Sequence, residues 1–258
     1  MKQTLTVTLI FFLALTTYAQ QKPTAEEAEN TIAGYLKEMQ HWRKKKGEHN
    51  IDSVYAVNRL LVQFMSDIGY EGYTLNYDFK KLNALGMQVH TSDDHLCRTF
   101  CWEIVAYGSS HYYNYMITYY QSSTRAMSYI NKEGTSMTDI YTIKTFDNRN
   151  VYLIREENDY DFKDRFSRLT AHVLKDGYFT LTNFFYNSGD STTYAGYAYR
   201  LFSFADKEKK LPKAHLEENN KKMVIPIIKE GGVYQGDMFY KFDGMKFIYD
   251  SYVEKKKK

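Results

Sequence analysis

The chain has 258 residues, a formal net charge of +3, two cysteines and three prolines. The four lysines at 255–258 exceed that net charge, so the body is near neutral, which argues against a general nucleic-acid binder. The length is enough to bury about 70% of the unfolded surface without a disulfide framework, in one large domain or two small ones.

Residues 1–19 read as a secretory signal peptide. Lys2 supplies the positive start, Leu5 to Leu15 a short apolar core, and Thr17 and Ala19 the small residues a signal peptidase inspects. The apolar run is shorter than the ~20 residues of an ordinary membrane span, and no later stretch is long enough, so no stable membrane insertion is expected. The expected location is the periplasm or the extracellular space.

Residues 20–86 form a helical segment. Thr24 and Glu27 have capping-box spacing, and Ala28, Ile32, Tyr35, Met39 and Trp42 recur at helical spacing. Lys44, Lys45 and Lys46 suit the last turn and Gly47 the stop. A second helix starts near Asn50 or Asp52, buries Val54, Val57, Leu61, Phe64 and Ile68, and ends at Gly69 and Gly72, which makes an antiparallel helical hairpin. A third, short helix is expected from Asp78 to Leu85, stopped by Gly86.

From residue 87 to 254 the rhythm is that of strands, ahead of a basic tail at 255–258. Ser92, Asp93, Asp94 and His95 are turn formers. The strand that follows puts Leu96, Arg98, Phe100, Trp102 and Ile104 on one face and Cys97, Thr99, Cys101, Glu103 and Val105 on the other. Gly108, Ser109 and Ser110 break it. The next strand carries Tyr113, Tyr115, Ile117 and Tyr119 on one face, the best candidate core, and the more mixed Tyr112, Asn114, Met116, Thr118 and Tyr120 on the other. Asp147–Asn150 joins two further strands. Asp176-Gly177 predicts a tight hairpin pairing Leu174 with Phe179 and His172 with Leu181. Asp243-Gly244, taken as a two-residue loop, pairs Phe242 with Met245, Tyr240 with Phe247 and Met238 with Tyr249. Strands are also expected at Tyr194–Phe204 and Met223–Lys229, the latter at an edge or bulged because Pro226 has no N–H to donate, with an exposed charged connection from Asp206 to Lys222. The fold class is α+β: a helical hairpin packed on a large antiparallel meander closed as a sandwich or irregular barrel, with a small propeller also compatible with the strand spacing.

The residues with chemical potential cluster loosely. His90, Asp93, Asp94, His95, Glu103 and His111 offer imidazoles and carboxylates, but their spacing matches no metal or catalytic motif, and turn residues need no catalytic explanation. Neither metal nor cofactor is expected. Cys97 and Cys101 are four residues apart on a strand, about 13 Å, whereas a disulfide needs under ~7 Å, so they should remain free. A thiol nucleophile would need a base such as His111. No phosphate loop, nucleophile elbow or H-E-x-x-H is present, and the carboxylates Glu156-Glu157 and Asp159/Asp161 have no fixed separation. The 25 tyrosines and 16 phenylalanines suit half-buried sheet positions and, secondarily, sugar stacking.

The run NYDFKKLNALGMQVHTSDDHLCRTFCWE resembles a segment of uncharacterised secreted proteins of Bacteroidetes, in which a tyrosine-phenylalanine pair leads into an S-D/E-D-G turn and an R-x-Y-x-W-D strand. The ending FYKFDGMKFIYD is similar to that group's terminal hairpin. The chain departs from the pattern with His95 for the glycine, Phe100 for the tyrosine and Glu103 for the aspartate. The resemblance implies an exported protein with a helical start and a β body, and it names no activity. The leading expectation is a noncatalytic extracytoplasmic module that binds a glycan or a protein. The alternatives are a hydrolase centred on His90–His111, with Asp93 or Glu103 as base, and a structural component of the envelope.

Overall fold

The computed structural model describes residues 22–45, 50–107, 110–122, 125–131, 135–158, 164–201 and 211–255. The expected signal peptide, Lys46 and Gly47, Gly108, Asp159 and Asp161, residues 202–210 and the last three lysines lie outside them.

Among the described residues, four helices come first: α1 (Ala25–Lys44), α2 (Asn50–Ile68), α3 (Tyr73–Asn76) and α4 (Lys80–Asn83). The capping box at α1 is complete, with the Thr24 hydroxyl accepting from Glu27 N–H and the Glu27 carboxylate accepting from Thr24 N–H at 2.8 Å. α1 and α2 form the expected hairpin, burying Ala28, Ile32, Leu36 and Met39 against Val54, Val57, Leu61, Met65 and Ile68. Met65 is fully buried where Phe64 was expected, and Phe64 packs only at the margin, tilted against Tyr35. The expected third helix shrinks to the single turn α4. Phe79 enters it in the left-handed region, φ 47°, and its ring is fully buried edge-on to Phe100. Burying that ring outweighs continuing the helix backward to Asp78. The extra turn α3 is held from below by Arg98, whose buried guanidinium donates to the carbonyls of Thr74 and Tyr77.

Fifteen strands follow among the described residues: β1 (Met87–Thr91), β2 (Cys97–Tyr107), β3 (Ser110–Ser122), β4 (Arg125–Asn131), β5 (Ser136–Lys144), β6 (Asn150–Asn158), β7 (Asp164–Lys175), β8 (Tyr178–Leu181), β9 (Phe185–Asn187), β10 (Asp190–Thr192), β11 (Tyr194–Arg200), β12 (His215–Glu217), β13 (Lys222–Lys229), β14 (Val233–Phe242) and β15 (Phe247–Glu254). They make three sheets, ordered β1-β2-β3-β4, β11-β7-β6-β5 with β8 also on β7, and β10-β9-β15-β14-β13-β12. The architecture is α+β, and the sheets stack as open layers; none closes into a barrel. Among the described residues all pairings are antiparallel except β15 with β9, which is parallel.

Three cores fix the layer order. The helical hairpin packs on Met87, Phe100, Trp102, Ile104 and Met116 of the first sheet. The other face of that sheet, with Cys97, Cys101, Tyr115, Ile117 and Tyr119, packs on Met137, Ile140, Tyr152 and Ile154 of the second. The second sheet's far face, with Val151, Leu153, Leu169 and Ala171, packs on Phe185, Met223, Ile225, Tyr240 and Phe247 of the third. Both inner sheets are thus buried on two faces. That is why Val151–Ile154 reads as a continuous apolar run, and why Asn114, Met116 and Thr118 are as buried as the tyrosine face behind them. Asn58 of α2 accepts from the Trp102 indole at 2.9 Å and ties the helices to the first sheet. Among the described residues, no helix is long and apolar enough to cross a membrane.

The Asp176-Gly177 hairpin has the expected pairs, Leu174 with Phe179 and His172 with Leu181. Both central residues have positive φ, 52° and 79°, as a two-residue turn of this hand requires. Pro226 of β13 lies beyond the reach of β12, which pairs only residues 222–224, and a bulge follows at Ile227/Ile228. The last hairpin differs from its expected register by two residues: Phe242 pairs with Phe247 and Tyr240 with Tyr249. The loop is four residues long because the Asp243 carboxylate accepts from both Met245 and Lys246 N–H at 2.8 Å, while Asp243 N–H donates to the Lys246 carbonyl. Next to the loop a slip of two leaves the side chains on their expected face, but a bulge between Phe239 and Tyr240 adds one more residue, so Met238 pairs with Tyr252 and not with Tyr249.

Candidate functional site

The residues proposed from sequence take separate partners. His90, on β1, points its Nδ1 toward Asp139 of β5 at 3.9 Å. Its Nε2 is buried with no hydrogen-bond partner, and burial pulls the imidazole pKa down. Asp93 is exposed in the turn, its backbone N–H donating to Thr142. His95 is exposed with φ 56°, the left-handed position where the resembled pattern has glycine. Glu103 lies 3.7 Å from Arg43 of α1. The His111 side chain lies outside the described residues. Among the described residues, no three His, Cys, Asp or Glu side chains are placed to hold a metal ion. Cys97 and Cys101 are free and buried; burial holds Cys97 well above the ordinary thiol range and Cys101 at about 11, so neither is a thiolate at neutral pH.

Asp94 is the organising member of the turn. Its carboxylate accepts from the Ser92 hydroxyl at 2.7 Å, Leu96 N–H at 3.0 Å, Asn150 at 2.6 Å and the Tyr152 hydroxyl at 2.8 Å. Burial would raise its pKa, but these donors together bring it below the ordinary value. The turn is therefore a clamp between the first two sheets, and its acidic residue is consumed in that role. A second clamp runs from Asp139 to Arg155 at 2.6 Å, on to Glu157 at 3.5 Å, and from Glu157 to Lys213 at 2.6 Å.

The better site was not singled out by the sequence. Where the first and second sheets part, a cleft of 350 Å³ opens between them. Alternation along β3 points Tyr115, Ile117 and Tyr119 into it from one side. From the other side β7 contributes Arg168, Thr170 and His172, each cross-strand to Glu156, Ile154 and Tyr152 of β6. The tight hairpin carries Phe179 and Leu181 to the mouth. Glu156 is 7% exposed and accepts from Arg168 Nε at 2.6 Å. The two adjacent carboxylates Glu156 and Glu157 belong to opposite faces of β6, with different partners, and do not form an acid–base pair. His172 stacks flat on Phe179, centroids 4.6 Å apart and planes 7° apart, and Tyr119 stacks on Phe179 at 5.5 Å. Burial lowers the His172 pKa to about 4, only partly offset by the Thr170 backbone, so the ring is neutral at physiological pH.

Two atoms on this wall are buried without a hydrogen-bond partner: Thr170 Oγ1 and His172 Nδ1. Each such orphan costs about 1–3 kcal/mol in lost hydration, and these are two of eight among the described residues. Here both flank one aromatic cleft whose volume lies at the small end of ligand pockets. A larger, open hollow of 930 Å³ mixes the charged Asp164, Arg165, Arg200, Lys229 and Glu230 with Phe166, Tyr199 and Ile228, and none of the orphaned atoms lies on its wall.

The sequence carried part of this signal. The tyrosine face of β3 and the hairpin holding His172 and Phe179 were both legible, but that they oppose each other is a tertiary fact. No protein-family model matches the chain, and no curated protein and no solved structure resembles it significantly.

Proposed function

We propose that this chain is an exported, noncatalytic binding module, and that its ligand seat is the cleft between the first and second sheets. The observation that carries the reading is the pair of buried, partnerless polar atoms, Thr170 Oγ1 and His172 Nδ1, on a wall that is aromatic and apolar apart from the Glu156–Arg168 ion pair. A few convergent polar groups in an apolar recess are the usual make-up of a small-ligand pocket. Export is supported by the charged start, short apolar core and small-residue cleavage site of residues 1–19, and by the resemblance to secreted Bacteroidetes proteins.

Two measurements test this. Mass spectrometry of protein recovered outside the cytoplasm should find an N-terminus at Gln20; an intact Met1 would remove the export half. A thermal-shift screen with glycans and peptides should find a ligand that raises Tm. Saturation at a hundredfold over Kd adds ~2.7 kcal/mol, about 5–10 °C for a chain this size. Silence across both libraries would remove the binding half.

A further inference from the structure

Resting on that reading of the cleft, we infer that its ligand is a neutral saccharide of one or two residues, held by its hydroxyl edge against β7 and by its C–H face against the tyrosine wall. The charge state comes first. Glu156 and Arg168 neutralise each other inside the cleft at 2.6 Å. An anion would have to share Arg168 with a buried carboxylate, and a cation would have to share Glu156 with a guanidinium. Either meets a like charge in a partly desolvated place, which is how a site rejects the wrong partner.

The hydrogen-bonding groups narrow the choice further. Thr170 Oγ1 can donate or accept, while His172 Nδ1 does one or the other according to its tautomer. A hydroxyl is donor and acceptor at once, so it satisfies both atoms in either tautomer; a carboxylate only accepts and an ammonium only donates. Arg168, Thr170 and His172 stand at alternate positions on one strand, roughly 7 Å between neighbours, so a ligand meeting more than one must carry several polar groups along its edge. A flat aromatic ligand fits poorly, because Phe179 already stacks on His172 and on Tyr119. What the wall offers is ring edges and tyrosine surface suited to aliphatic C–H groups. The 350 Å³ volume excludes a long oligosaccharide from lying wholly inside.

The test is an NMR titration of ¹⁵N-labelled protein, with calorimetry, against glucose, galactose, mannose, maltose and cellobiose, then glucuronic acid, glucosamine, phenylalanine and tryptophan. At least one neutral sugar should shift the amides of residues 168–172 and 179–181 saturably, with glucuronic acid and glucosamine about tenfold weaker or worse. Thr170→Val, which keeps the shape and removes the orphaned hydroxyl, should weaken the sugar about tenfold while leaving the free protein's fold intact and its Tm equal or higher. Glu156→Gln, which frees Arg168, should reverse the preference toward glucuronic acid. Binding of a charged sugar or an aromatic amino acid at residues 168–172 in preference to every neutral sugar would overturn the saccharide assignment and leave the binding reading standing. Sugar binding that ignores Thr170→Val, or that maps elsewhere, would overturn the assignment of the seat. No shift with any class would overturn both.

Discussion

Two half-buried titratable side chains contribute to the acid behaviour of the molecule, in separate pH windows. The Asp94 pKa lies below its ordinary 3.8 in the folded state. Its contribution is therefore complete above that value and is lost as pH falls through the folded value. Asp94→Ala should cost about 2–4 kcal/mol at neutral pH by stranding Tyr152 and Asn150, read as a lower urea midpoint. The gap to wild type should shrink in strong acid, and an equal gap there would mean the carboxylate's charge is irrelevant. His172 works higher on the scale. Its pKa falls from 6.5 to about 4, so the unfolded chain takes up the proton first, and stability declines between those values as pH drops. His172→Gln should flatten that limb, and the His172 Cε1–H resonance of the wild type should remain that of a neutral ring until about pH 4. Asp94 was legible as a turn former; its grip on Asn150 and Tyr152, more than fifty positions away, was not, because nothing local encodes a partner at that distance.

At the level of single elements, turn chemistry was the most readable signal and register the least. Asp176-Gly177 fixed its hairpin because only a turn with two positive φ values fits two residues. Asp243-Gly244 looked equivalent, yet the Asp243 carboxylate closes a four-residue loop, an outcome that periodicity alone cannot separate from the shorter one. The loop also receives a visitor. Phe146, 83% exposed, lays its ring where a Gly244 Cβ would stand, and its N–H donates to the Gly244 carbonyl at 2.8 Å. Gly244 also has φ 99°. Gly244→Ala should therefore destabilise by about 1–3 kcal/mol in a thermal melt. Adding Phe146→Ala should recover the steric part and leave the backbone part, giving a coupling energy clearly different from zero. Additive single effects would mean that the ring does not guard the glycine.

The whole molecule is a stack of four layers in which neighbouring cores share a sheet. Class and element types were legible from the change of rhythm after Gly86 and the apolar alternation of each strand. The stacking order was not, since a strand buried on both faces, such as Val151–Ile154, announces burial without naming its neighbours. Because Leu153 sits in one core and Ile154 in the next, damage to either should propagate. Leu153→Ala should cost about 2–5 kcal/mol. Both tryptophans of the described chain belong to the helical end, so their fluorescence should still follow the same denaturant curve as far-UV circular dichroism, although Leu153 lies two layers away. A fluorescence transition indifferent to Leu153→Ala would show that the layers melt independently.

β15, last of the strands in chain order, sits between β14 and β9 in the interior of its sheet. A polypeptide delivered N-terminus first, by a ribosome or through a translocation pore, cannot seal that sheet until Phe247–Glu254 has emerged. Until then the apolar side of β6 and β7 has no completed cover. A premature stop before Phe247 would remove the keystone of the layer rather than trim its rim, and such products should go to proteases or aggregates instead of persisting as shortened, working copies.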